Sequence, residues 1–359
     1  MGYQTIFHIR EPRLQNRIEL LDFLRGAAML LVLTHHSDLP NNYGNWILAF
    51  HMPFMFLLSG YTMYLRPHPE RFIDFVSGRF QRLVIPYFLF EGLNFFIWSA
   101  SLYLQGGWQD VTEAATAILA CLNTEGYTGY YGRLWFWPCM FVSDIYFYGI
   151  LRFAPKKSLT RKVFLLAMIP AMFVLSWISC HVLPGRLPFT ADTAFMATAF
   201  LLTGYLLGNQ ITWLIQKKHL LADITMLLIS LLVMRLAVHS GKSECMMFIN
   251  HYGHYGYTLC AAFSGMLSTT ILIKFLYNIL KKQNFLKSVV LWYGYHSLGT
   301  FPVHLSIKIF IYQMFPLSYR QWYILFPAMF LLSIPLVNLI TTYFPFMLGK
   351  FSFRTKAKH

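Results

Sequence analysis

Long apolar runs separated by short polar segments dominate this chain of 359 residues. Ten stretches can be read, near 20–38, 46–65, 83–104, 134–151, 163–183, 191–215, 220–239, 255–280, 288–313 and 322–349. Each has ~20 mostly apolar residues, which at ~1.5 Å rise per residue reach across a bilayer core. The pattern predicts an all-α fold: a polytopic membrane helical bundle of about ten transmembrane helices. The run 288–313 is interrupted by His296, Pro302, His304 and Lys308, and the last run contains Pro327, Pro335 and Pro345. Neighbouring helices re-satisfy the backbone groups that proline frees, so kinks are expected there rather than ends. No internal repeat, low-complexity tract or long soluble insertion is visible. Residues 1–359 therefore read as one domain, with tails at 1–19 and 350–359.

Charge settles orientation. Only 12% of residues are charged and 57% are hydrophobic, half the usual charge of a soluble domain. The formal net charge of +15 invites a nucleic-acid reading. That reading fails, because the basic residues sit in short loops and form no stripe interleaved with aromatics. With the N-terminus inside, 21 of the 29 Lys and Arg fall in inner segments and four in outer ones: Arg133, Arg186, Lys242 and Arg320. Arg25, Arg235, Lys274 and Lys308 lie within spans. This split follows the positive-inside rule and predicts both termini in the cytoplasm. Residues 1–19 are polar and the first apolar run carries Arg25 and two histidines, so that run reads as a retained anchor. Two outer segments, 105–133 and 240–254, are either recognition loops or connectors over the helix ends. Five scattered cysteines show no zinc spacing, and Cys121 and Cys245 leave room for one bridge.

Ionisable residues inside a membrane cost about 2.5–3.5 kcal/mol each, which marks them as functional candidates. Arg25 and His36 lie eleven residues apart on the first helix. That spacing returns them to within ~20° of one face, ~16 Å apart along the axis. Asp22 shares the stripe and can pair with Arg25. Gly26, Ala27 and Ala28 permit close approach of another helix or a ligand. A guanidinium near the inner end suits the phosphates of a cytosolic donor, and a deeper imidazole suits a general base. The bland alternative is a structural Asp22–Arg25 pair with a packed histidine. His35, ~80° away, competes with His36 for the active role.

Three motifs, RGAAMLLVLTHH, FHMPFMFLLSGY (50–61) and GRFQRLVIPY (78–87), resemble those of the integral membrane acyltransferase family 3. The correspondence maps onto Arg25 and His36, onto Ser59–Gly60–Tyr61, and onto Arg79, Arg82 and Pro86. LWFWPCMF (134–141), DTAFMATAFLLTGYLLG (192–208) and GYHSLGTFPVHLS (294–306) are similar to its later motifs, and the likeness spans about residues 17–310 in order. The resemblance implies an O-acetyltransferase of the bacterial cytoplasmic membrane. It would carry acetyl from acetyl-coenzyme A to a hydroxyl of a glycan or lipid-linked sugar. In that reading Arg25, Arg79 and Arg82 hold the donor phosphates. His36 is the base, with Asp22 beside it and His35 as its competitor; direct transfer and an acyl-enzyme both remain open. Trp135, Asp144 and His304 are candidates for the acceptor, although interfacial tryptophans commonly serve only as anchors. No metal motif is present, lipids are the surrounding partners, and a homo-oligomer is compatible. A proton-coupled transporter or flippase is the rival reading; the absence of inverted repeats counts against it.

Overall fold

The computed structural model describes residues 18–66, 71–104, 134–217, 219–280, 284–315 and 321–350. The expected outer segment 105–133 and both tails lie outside these, save residues 18, 19 and 350. Fourteen α-helices follow in order among the described residues: α1 Glu19–His36, α2 Asn41–Leu48, α3 His51–Leu65, α4 Phe72–Arg79, α5 Ile85–Leu104, α6 Phe136–Phe153 and α7 Ser158–His181. Then come α8 Thr193–Leu206, α9 Gly208–Gln216, α10 Leu220–His239, α11 Tyr255–Ile279, α12 Phe285–Tyr295, α13 Ser297–Met314 and α14 Trp322–Tyr343. The extended contacts among the described residues amount to one isolated bridge, Met246 with His251.

Six helical stretches are long and apolar enough to cross a membrane, or seven if α8 and α9, bent by 62°, form one span. Ten were expected. The runs that fall short are α1, α6 and the α12–α13 pair. These carry Asp22, Arg25, His35 and His36, then Asp144, then His304 and Lys308. Polar side chains lower their hydropathy, and their faces are covered by neighbours rather than lipid. By contrast α7, α10 and α14 bury only 22% of their apolar windows. Their exposed Leu166, Leu232 and Leu331 suit a lipid-facing periphery.

Breaks fall where local chemistry places them. Pro302, Pro327 and Pro335 sit inside continuous helices, as expected. The run 288–313 instead divides at His296, and the last run ends at Tyr343 before a 3-10 turn at Pro345–Leu348. Between α4 and α5 the backbone widens into a π-helical turn, Phe80–Val84. Pro86 has no N–H to give an i−4 carbonyl, and the Ile85 amide reaches back five residues to Phe80.

Two glycine pairs set the closest approaches. A Cβ on Gly26 of α1 would fall 1.9 Å from the Val290 carbonyl oxygen of α12, and one on Gly294 1.9 Å from that of Asp22. Gly60 of α3 and Gly204 of α8 meet Leu201 and Leu57 in the same reciprocal way. Small residues let these backbones touch, the usual basis of helix association in lipid.

Polar contacts join segments that the charge pattern puts on one side. Glu19, at the start of α1, pairs with Lys287 of α12 at 2.9 Å. At the opposite end Lys308 of α13 reaches Asp38, just past α1, at 2.6 Å. Arg186 pairs with Asp192 and donates to the Phe248 carbonyl at 3.1 Å, fastening loop 240–254 to the start of α8. Asn250 in that loop is buried, in the left-handed region, and donates to Ser179 at 3.2 Å. Cys245 is a free thiol, and burial pushes its pKa up to about 12. Cys121 lies outside the described residues.

Candidate active site

Arg25 emerges from the inner half of α1. Its guanidinium is fixed by Asp22 Oδ1 at 3.1 Å and by the Thr62 hydroxyl of α3. Asp22 is a buried carboxylate one turn away, as the i,i+3 spacing predicts. Arg25 lines a cavity of about 210 Å³. Arg79 enters the same cavity from the end of α4, and its Nε lies 3.0 Å from Asp144 Oδ2 of α6. The approach is Coulombic rather than a formed hydrogen bond. Both oxygens of Asp144, whose side chain is wholly buried, lack a hydrogen-bond donor.

The rest of the wall is apolar with a few hydroxyls. Met63, Leu83 and Met140 lie along it, with Ser59, Thr62 and Ser297 as polar points. An aromatic group, Phe136, Trp137 and Phe301, closes one side, with Phe301 4.9 Å from Phe136 and 6.2 Å from Trp137 between centroids. The cavity thus joins two cations, a buried carboxylate and a greasy aromatic wall. That is the chemistry of a site for a ligand with an anionic part and an apolar arm.

Behind Phe301 stands a group of imidazoles. Phe301 meets His304 edge to face at 5.8 Å, and His304 lies 5.1 Å from His36. His36 lies 5.6 Å from His35, which lies 4.7 Å from His51 of α3. His304 is fully buried and its Nδ1 faces the Thr300 carbonyl at 3.1 Å. A carbonyl only accepts, so Nδ1 carries the proton and Nε2 keeps its lone pair. That Nε2 has no hydrogen-bond partner, and neither has His35 Nδ1. The end of α1 is pinned by Lys308, which donates to the His36 carbonyl at 2.8 Å and to Asp38 at 2.6 Å, while Tyr312 also donates to Asp38.

The predicted residues separate as follows. Arg25, Arg79 and Asp144 meet in the cavity, with Asp22 behind Arg25. His35, His36 and His304 form the adjoining imidazole group and do not themselves line the cavity. Arg82 is exposed on the π-helical turn, outside the lining. Trp135 is buried beside Phe136, and its neighbour Trp137 forms the wall instead. Sequence reasoning missed the parts that Thr62, Phe301 and Asp38 play. Thr62 and Asp38 are ordinary polar residues in sequence, and tertiary packing alone gives them partners. Among the described residues no three His, Cys, Asp or Glu converge as a metal site.

Comparison with known proteins agrees with the motifs. A family profile described as an acyltransferase domain matches residues 18–342. No curated protein and no solved structure gives a significant match. The matched stretch runs from α1 through nearly all of α14, and so takes in both the cavity and the imidazole group. The chain belongs to acyltransferase family 3, whose members are integral membrane proteins.

Proposed function

We propose that this protein is a multi-pass O-acyltransferase that moves acetyl from cytosolic acetyl-coenzyme A to a hydroxyl of a cell-surface glycan or lipid-linked sugar. The observation that carries this reading is the cavity where Arg25 and Arg79 converge on one wall and the aromatic group closes another. Guanidiniums match phosphate oxygens, and an apolar arm such as pantetheine suits the aromatic side. A volume of about 210 Å³ takes only part of so long a donor, so the phosphates sit at Arg25 and Arg79 and the pantetheine arm runs along the aromatic side toward His36. His36 lies beyond the aromatic wall and removes the acceptor's hydroxyl proton as its oxygen attacks the thioester carbon. The C–O bond forms, the C–S bond breaks, and the proton passes to the departing thiolate.

In this reading the chain spans the bacterial cytoplasmic membrane ten times, with both termini in the cytoplasm. The contacts of Glu19 with Lys287 and of Arg186 with Phe248 support that arrangement, since each joins segments the charge pattern assigns to one side. The test uses membrane vesicles holding the full chain and acetyl-coenzyme A labelled in its acetyl group. Label should enter the glycan and glycolipid fraction, and His36→Ala should reduce transfer by roughly 100-fold or more. Coenzyme A binding should fall in Arg25→Ala. Transfer that survives His36→Ala removes the base, and binding indifferent to Arg25→Ala removes the donor site.

A further inference from the structure

The imidazole group contains a buried acceptor that the proposed reaction does not use. His304 is wholly enclosed, its Nδ1 proton is committed to the Thr300 carbonyl, and its Nε2 lone pair has no donor. A buried acceptor left alone is costly and asks for an N–H or O–H nearby. The neighbouring imidazole is His36, 5.1 Å away between ring centroids. We infer that His304 is the positioning residue for His36: its Nε2 accepts the His36 ring N–H and so turns the other His36 nitrogen toward the acceptor hydroxyl.

This inference rests on the acyl-transfer reading and decides between the two adjacent histidines. An imidazole acting as a base needs an acceptor on its second nitrogen, to fix the tautomer and to hold the imidazolium formed during attack. Apo hydrogen bonds of this kind are often long and tighten in the reacting complex. His304 is suited to the part, because a bond to an i−4 carbonyl fixes its own ring. The backbone around the pair is also held, by Lys308 on the His36 carbonyl and on Asp38. His35 has a similar neighbour in His51, whose Nδ1 faces the Ile47 carbonyl at 2.8 Å. The ring contacts that lead to Phe301 run instead through His304, which meets both Phe301 and His36. The proton balance is unchanged: it leaves the acceptor hydroxyl for His36 and goes on to the thiolate sulfur, while His304 stays neutral throughout.

The test compares His304→Leu, His304→Gln and His51→Leu in membrane vesicles containing the full chain, with labelled acetyl-coenzyme A as donor. Leu keeps the volume and loses the acceptor, whereas the Gln carbonyl restores one. His304→Leu should lower kcat roughly 100-fold with the donor KM within about threefold, and His304→Gln should recover at least a tenth of wild-type kcat. His51→Leu should change kcat by less than about threefold. Equal loss in His304→Leu and His304→Gln, a loss confined to KM, or a larger loss in His51→Leu overturns the assignment. A folding defect in His304→Leu would show as lower yield of intact protein, and the Gln variant then decides: full loss of kcat at normal yield and KM overturns it. A wild-type chain that neither transfers label nor releases coenzyme A overturns the acyl-transfer reading itself, and this inference with it.

Discussion

Asp144 and Arg79 show how much a single side chain's meaning depends on its partner. In sequence, Asp144 is an acid in an apolar run that could bind a sugar hydroxyl or orient a histidine. In the folded chain it faces Arg79 across 3.0 Å at the wall of the cavity. Under the proposed function, a donor phosphate arriving at Arg79 competes with that carboxylate. Arg79→Ala is therefore expected to weaken coenzyme A binding by about 1.5–3 kcal/mol, the worth of charged hydrogen bonds, or about 10- to 150-fold. Asp144→Asn is expected to act in the opposite direction, tightening binding about fivefold. Titration of coenzyme A into detergent-solubilised protein measures both. If the two substitutions weaken binding alike, Asp144 holds Arg79 in place rather than competing for it. The Asp22–Arg25 pair was legible in advance because i,i+3 spacing on a helix puts side chains together without further information. The Arg79–Asp144 pair was not, since it depends on how α4 packs against α6.

Helices in lipid approach one another only as closely as their side chains allow, and the glycines of α1, α3, α8 and α12 remove that limit. Gly60, in sequence part of the Ser59–Gly60–Tyr61 motif, is a packing site, with its Cβ position 1.9 Å from the Leu201 carbonyl oxygen. Backbone cannot give way as a flexible side chain can. Gly60→Ala is therefore expected to force α3 from α8 and to destabilise the protein by about 1–3 kcal/mol or more. A Cβ on Gly149 of α6 would meet nothing within 4 Å. Gly149→Ala should be neutral or stabilise by up to about 1 kcal/mol, because glycine is the poorer helix former. Thermal unfolding of both variants in detergent separates them, and similar melting would count against the close-packed seam. The long helices were legible, since apolar runs of this length leave little alternative, whereas the short α4, Phe72–Arg79, fell between the runs. Helix ends were less so: the break at His296 and the π turn at Phe80–Val84 come from tertiary fit and from one missing proline N–H.

Over the whole molecule, hydropathy sorts helices by position. The most apolar, α7, α10 and α14, bury least, while α1 and α13 are enclosed and carry the polar residues from which the site is built. This is why ten apolar runs can be read in the sequence while length and apolarity together find six or seven: an inner helix has no need to be apolar on every face. The periphery also carries a buried charge pair, Asp223 on α10 and Lys274 on α11, 2.7 Å apart with each side chain 3% exposed. Neither residue lines the cavity, and α10 packs chiefly on α11. The pair therefore fixes how an outer helix seats on its neighbour. Removing one partner strands a buried charge, so Asp223→Leu and Lys274→Met should each destabilise by about 3–5 kcal/mol. Replacing both, as Asp223→Leu with Lys274→Met, removes the two desolvation costs together and should restore stability to near that of the parent. A double-mutant cycle of thermal unfolding measures the coupling, with acyl transfer followed in the same samples. The expected result is a double variant more stable than either single variant, with transfer close to that of the parent. A double variant as unstable as the singles would mean that the charges hold α10 in a register that apolar contact alone does not specify.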